Sequence, residues 1–142
     1  MLNLFDWLEP ITVAALGLIF GSFIGALSYR IPDRIVWSKG RSKCPSCKKT
    51  VLWWQNIPVL SYLLLKGQCY FCNIKISLRY PLIEVLLMIL ALGLNQSYSL
   101  PSLEFFYYFS FLFVLLLIAV IDFETMYIYD RITFPWMGIF FF

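Results

Sequence analysis

Four apolar runs separated by polar stretches organise this chain. Ile11 to Tyr29 carries no charge and is long enough, at ~1.5 Å per residue, to cross about 30 Å of hydrocarbon. Tyr80 to Leu94 and Phe105 to Ile121 read as two more spans, the former holding a single acid, Glu84. Pro81 falls in the first turn of its run, where a missing N–H does no harm. Asn95 to Ser102 forms a polar connection between these two spans, and Asp122 to Arg131 follows the third. Ile132 to Phe142 opens a fourth apolar run that is too short to cross and reads as a truncated helix. Inside the first run, Gly17, Gly21 and Gly25 recur at four-residue spacing, with Ser22 and Ala26 beside them. They form one flat stripe suited to close packing against another helix.

Composition agrees with this pattern. With 61% hydrophobic and 20% aromatic residues, and a mean hydropathy of +0.80, a soluble domain of this length would leave too much apolar surface in water. Charge then sets an orientation. Ten of the eleven Lys and Arg lie from Arg30 to Arg79, against one acid, Asp33, while Asp6 and Glu9 precede the first run. Basic residues gather in cytoplasmic loops. The N-terminus is therefore expected outside, 30–79 inside, the 95–104 connection outside and 122–131 inside. A cleaved signal peptide would carry its basic residues ahead of the apolar run, not behind it. The basic patch is better explained by orientation and attraction to anionic lipid than by nucleic acid, which is not expected as a partner.

The same 30–79 stretch holds all four cysteines, as Cys44-x2-Cys47 and Cys69-x2-Cys72. Two such knuckles converging on one tetrahedral ion make a four-thiolate zinc site. Lys43, Lys48 and Lys49 would offset its negative charge. A reducing cytoplasm argues against two disulfides. Redox cysteines and unpaired structural thiols remain as other readings. If both knuckles hold one ion they share one side of the membrane, so the apolar segment Val51 to Leu65 between them does not cross. Trp53 and Trp54 suit a position at the headgroups.

The fold class expected is thus an all-α polytopic membrane protein. It has three full transmembrane helices and a truncated fourth, with a small cytoplasmic zinc-ribbon-like domain inserted after the first. The parts are 1–29, the basic four-cysteine domain 30–79, and 80–142. There is no histidine, so proton chemistry falls to carboxylates, Tyr, Lys or Cys. Asp122, at the cytoplasmic end of the third span, is a functional candidate because a carboxylate at a membrane edge is costly unless used or paired. On a continuing helix Glu124 points about 200° away, and Asp130 lies ~12 Å further on, so neither can share a proton with Asp122. Glu84, the other membrane-embedded acid, reads as a structural hydrogen-bonding group, with a direct catalytic partner of Asp122 as the lesser alternative.

Taken in order, these segments resemble a family. Gly21-Ser22-Phe23 through Tyr29-Arg30-Ile31-Pro32 is similar to the GSF-x-N-x-x-x-Y-R-x-P segment of bacterial prepilin leader peptidases/N-methyltransferases, of peptidase family A24. The cysteine module resembles theirs. So do Trp54-Gln55-Asn56-Ile57-Pro58 through Tyr62, Ile76-Ser77-Leu78-Arg79-Tyr80-Pro81 through Glu84, and Ile121-Asp122 through Asp130, Thr133 and Pro135. The resemblance covers nearly the whole chain and implies an aspartic endopeptidase of the inner membrane, serving type IV pili or type II secretion. Such an enzyme cleaves the leaders of prepilins and pseudopilins at the cytoplasmic face, then N-methylates the new amino terminus with S-adenosylmethionine. It maps the first catalytic aspartate to Asp122 and the zinc-associated domain to Cys44, Cys47, Cys69 and Cys72. There are three departures from the pattern. Gly25 stands where the family has Asn, Tyr129 stands where it has Pro, and no G-x-G-D, the segment of the second aspartate, occurs. The chain is accordingly expected to be an N-terminal part, inactive as a protease without a C-terminal half. The contrasting expectations are a non-catalytic, membrane-anchored zinc-ribbon binding module and a degenerate remnant.

Overall fold

The structure, a computed structural model, describes residues 4–32, 42–126 and 138. Asp130, Tyr129 and the fourth apolar run, apart from Gly138, lie outside the described residues. Four α-helices appear among them: α1 (Leu4–Arg30), α2 (Leu60–Leu64), α3 (Arg79–Asn95) and α4 (Leu103–Thr125), with one 3-10 turn, Trp53–Asn56, ahead of α2.

Local chemistry explains most of the helix ends. Arg30 lies in the last turn of α1, where a cation complements the helix dipole. Ser102 caps α4, its hydroxyl accepting from the Phe105 N–H at 3.1 Å, with Glu104 in the first turn. The other end of α4 closes at Met126, which takes a left-handed φ of 56° and donates its N–H to the Asp122 carbonyl at 2.8 Å. Two sequence expectations change here. Residues 4–10, read as an outer tail, belong to α1, which runs through Pro10. The third apolar helix, expected to stop at Asp122, continues to Thr125 because its stop is set by the cap at Met126, not by the first charge.

Within α1 and α4, the stretches Trp7–Arg30 and Leu103–Thr125 are long and apolar enough to cross a membrane, with mean hydropathies of 2.0 and 2.3. Only 33% and 28% of these stretches is buried inside the protein. A core helix of a soluble protein would be mostly covered, so these helices present broad apolar faces outward. The third expected span, α3, has 17 residues, at the lower limit for a crossing. Between Val51 and Leu65 there is only the 3-10 turn and the five-residue α2, neither of which can cross.

The core is built where α1 and α3 meet. A Cβ on Gly17 would lie 2.5 Å from the Met88 Cα, and one on Gly21 would lie 2.6 Å from the Glu84 Cα. The glycine stripe therefore lets the two backbones touch, as its spacing predicts. At Gly25 the neighbour is the Tyr80 ring, whose Cδ1 would be 3.1 Å from a Cβ. The space an Asn side chain would need at that position is taken by tyrosine. Helix α4 closes the third side with aromatics, Phe20 meeting Phe109 and Phe113 edge-on at 5.4 and 5.7 Å. Ile24, Ile83, Leu87, Phe105, Leu117 and Ile121 fill the interior.

The glycine contacts make a prediction of opposite signs. Gly21→Ala should destabilise the bundle by roughly 1–3 kcal/mol through overpacking. Gly93→Ala, on the same helix pair but with nothing within 4 Å of its Cβ, should stabilise it by about 0.5–1 kcal/mol through helix propensity. Thermal unfolding of the detergent-solubilised protein reads both, and equal shifts would contradict the packing argument.

Candidate metal centre and membrane-edge carboxylates

Each cysteine pair sits in a short turn, and the two turns have the same construction. In the first, the Cys44 N–H donates to the Lys49 carbonyl at 3.0 Å and the Lys48 N–H to the Cys44 carbonyl at 3.0 Å. In the second, Cys69 donates to Ile74 and Asn73 to Cys69, both at 2.9 Å. Lys48 and Asn73, which follow the second cysteine of each pair, both take left-handed φ values, 59° and 55°. The antiparallel bridges Lys43–Thr50 and Gln68–Lys75 close the two loops. Val51 donates to Ser42 outside the first bridge, as Ile76 does to Gly67 outside the second. The cysteine module is thus a repeat of one knuckle. Lys49 lies over the Phe71 ring at 4.8 Å, joining the copies, and Trp54 of the 3-10 turn packs edge-on to Tyr70 at 5.5 Å.

The two knuckles bring all four sulfurs within 4.8 Å of one another. Cys44 Sγ and Cys72 Sγ are 3.8 Å apart, close to the ~3.8 Å edge of a sulfur tetrahedron around an ion with ~2.3 Å bonds. All four cysteines are free, so the sulfurs are in ligand geometry, not in disulfides. Backbone N–H groups already point at this centre. The Cys47 N–H, with that of Ser46 and the neighbouring thiols, lowers the Cys44 thiol to about 7, against the opposing effect of burial. At Cys72 the Ile74 N–H favours the thiolate, but desolvation and three adjacent sulfurs prevail and push it up to about 11. Four sulfurs this close cannot all ionise without a cation among them. The donor set, four soft sulfurs within 4.8 Å of one another, could hold one thiophilic metal ion.

The carboxylates separate into three situations. Asp122 lies exposed on the last turn of α4. Glu124, two residues on, turns to α3 and forms an ion pair with Arg79 Nε, a charge contact without aligned hydrogen-bond geometry. The same guanidinium donates to the buried Ser28 hydroxyl of α1, which in turn donates to the Gly25 carbonyl at 3.2 Å. Arg79 thereby ties three helices together at one end of the bundle. Glu84 is buried on α3, its Oε2 accepting from the Val59 N–H at 2.6 Å, and the Ser22 hydroxyl bonds the same carboxylate. The carboxylate accepts hydrogen bonds, as expected from the sequence. At the opposite end, Glu9 Oε1 accepts from the Leu100 N–H at 2.9 Å and holds the α3–α4 connection to α1.

Sequence reasoning missed the Arg79 clamp and the repeated knuckle. A signal for the second existed: Lys43-Cys44 through Thr50 and Gln68-Cys69 through Lys75 align without a gap.

The family model described as the bacterial peptidase A24 N-terminal domain matches residues 15–98, from α1 through the cysteine module to the end of α3. Curated relatives extend the likeness across α4. A prepilin leader peptidase/N-methyltransferase of Vibrio cholerae serotype O1 is 35% identical over 138 residues, covering 92% of this chain and 54% of that protein. One of Neisseria gonorrhoeae is also 35% identical, covering 94% of this chain and 57% of its own length. One of Myxococcus xanthus is 40% identical over 82 residues, covering 58% of this chain and 24% of that protein. The chain spans about half the length of the first two. No solved structure matches it. With glycine stripe, cysteine knuckles and buried Glu84 all inside the matched region, the chain belongs to the bacterial peptidase A24 N-terminal domain family and corresponds to the N-terminal portion of these longer relatives.

Proposed function

We propose that this chain is the N-terminal half of a membrane enzyme that cleaves the leaders of type IV prepilins or pseudopilins at the cytoplasmic face. The same enzyme would then N-methylate the exposed amino terminus with S-adenosylmethionine. The observation that carries this reading is the likeness over 92% of the chain to proteins of that printed name, continuing through the turn that leaves Asp122 exposed. Asp122 is the first carboxylate of a two-aspartate site, in which one acid stays protonated while the other activates water. The second belongs to the remaining length found in the relatives. The four cysteines hold one zinc ion that organises the cytoplasmic module.

In this reading α1, α3 and α4 all cross the inner membrane. The N-terminus and the 95–104 connection face the periplasm, while the cysteine module and Asp122 face the cytoplasm. Alkaline phosphatase fused after Gln96 should be active and one fused after Lys49 inactive. The reverse pattern would place Asp122 on the wrong side for this chemistry.

Function is tested by joining the chain to the downstream half of the Vibrio cholerae relative in cells lacking prepilin peptidase. The joined protein should yield shortened, methylated pilin, and the 142-residue chain should leave prepilin uncut. A folded, membrane-inserted fusion that cuts nothing would refute the reading. Cleavage by the chain without its downstream half would refute the assignment of a second carboxylate elsewhere.

A further inference from the structure

Glu84 is the one buried carboxylate among the described residues, and it faces a strained turn. Val59, whose backbone N–H donates to it, has φ 58° and ψ −49°. The Leu60 N–H reaches back to the Pro58 carbonyl, closing a γ-turn of the rare positive-φ kind. A β-branched residue is disfavoured there, and the hydrogen bond from its N–H to Glu84 Oε2 holds it. Ser22 of α1 approaches the same carboxylate, at the level where Gly21 lets the two helices touch. The Trp53–Leu64 element is therefore fastened to the side of the helix bundle.

That fastening sets a depth. Arg79, with Glu124 and Ser28, marks the polar end of the bundle. Glu84 lies five residues further along α3, about 7.5 Å towards the bilayer centre. The Val59 backbone, bonded to it, lies beneath the polar edge, and α2 starts at the next residue. Leu60, Leu63 and Leu64 fall on one face at i, i+3 and i+4. All three are exposed, Leu63 and Leu64 by 66% and 68%. Trp53 on the preceding turn is 75% exposed, beside Leu52 and Ile57. Lys66 follows immediately, and exposed Lys43, Lys48, Lys49 and Lys75 surround the module. An apolar face bordered by lysines matches the surface of a bilayer with anionic headgroups.

We infer that the Trp53–Leu64 element is a lipid-docking face, seated at the headgroup–acyl boundary of the cytoplasmic leaflet at a depth fixed by Glu84. It rests on the reading of α3 as a membrane span. The cysteine knuckles at its two ends are then held against the membrane instead of hanging free in the cytoplasm. Glu84 is the positioning residue of this arrangement.

The test uses a nitroxide on a ketone-bearing amino acid, which leaves the cysteines intact. It is placed at Leu63, or at the outward-facing Leu115 of α4 as reference. The chain is studied in nanodiscs of mixed zwitterionic and anionic lipid, with and without a joined downstream half. At position 63, collisions with oxygen should exceed those with a water-soluble nickel chelate. Glu84→Leu should reverse that order at position 63 and leave position 115 unchanged, whereas Glu84→Gln, which keeps an acceptor oxygen, should behave as the parent does. Water exposure at 63 with lipid exposure at 115 would overturn the docking inference and spare the spanning helices. Water exposure at both would overturn the membrane reading itself. Protection from both reagents at 63 would mean that protein, not lipid, covers the face, and would also overturn the inference.

Discussion

Asp122→Asn in the chain joined to a downstream half should abolish prepilin cleavage, a fall of at least about 10²–10⁴-fold in rate. The substitution keeps the size and shape of the side chain and removes its ability to take up a proton. Asp122 is exposed at the end of α4, so neither a cavity nor a lost core contact would explain the loss. Methylation should vanish with it, because the uncut leader leaves no new amino terminus to modify. Neighbouring acids provide the contrast. Glu124→Gln weakens the ion pair with Arg79, so it should lower activity by loosening the last turn of α4, and a reduced melting temperature should accompany it. Asp130→Asn should be milder than Asp122→Asn. Processing read by gel shift, with zinc content and thermal stability measured on the same preparations, separates chemistry from folding. An Asp122→Asn variant that still processes prepilin at the parent rate would remove Asp122 from the reaction.

The features legible in the sequence were those carried by neighbouring residues. Uncharged runs announced α1 and α4, and the four-residue glycine spacing announced a face that now meets the α3 backbone at Met88 and Glu84. The paired C-x2-C spacing announced four sulfurs in one place. Helix ends were less legible because a charge does not stop a helix. Asp122 and Glu124 both continue α4, and the left-handed Met126 ends it. Likewise the sequence suggests a tail ending at Pro10, yet α1 runs through that proline from Leu4. Partners distant in sequence and joined by no motif were not legible. Nothing local in Arg79 says that it meets Ser28 and Glu124, and nothing in Val59 says that it will take a strained turn for Glu84 to hold. The repeated knuckle shows in the sequence only as a gap-free alignment of its cysteines, because its copies share little else. What they repeat is backbone: left-handed Lys48 and Asn73, and matching hydrogen bonds.

Removing the metal should collapse the cysteine module while leaving the helix bundle folded. The reason lies in what the module buries. Between Ser42 and Leu78 the buried residues are Cys44, Cys69 and Gly67, and the large apolar side chains stay partly or fully exposed. A module without an apolar centre has little to offset the entropy of ordering its chain. An ion bridging its two knuckles would therefore supply most of its stability. Structural zinc in comparable small sites contributes about 10–16 kcal/mol of apparent binding free energy at neutral pH, which is available to folding. One zinc per chain is expected in the purified protein, and Cys44→Ser or Cys69→Ser should lose it. The lysines at 43, 48, 49, 66 and 75 then become a built-in probe, since trypsin should cut there rapidly in the variants or after strong chelation, and slowly in the parent. The bundle, held by the α1–α3 contact and the aromatic seam to α4, should keep its helical signal throughout. A chain with all four cysteines replaced that binds no zinc yet resists trypsin as the parent does would show that the module is held together by something other than a metal.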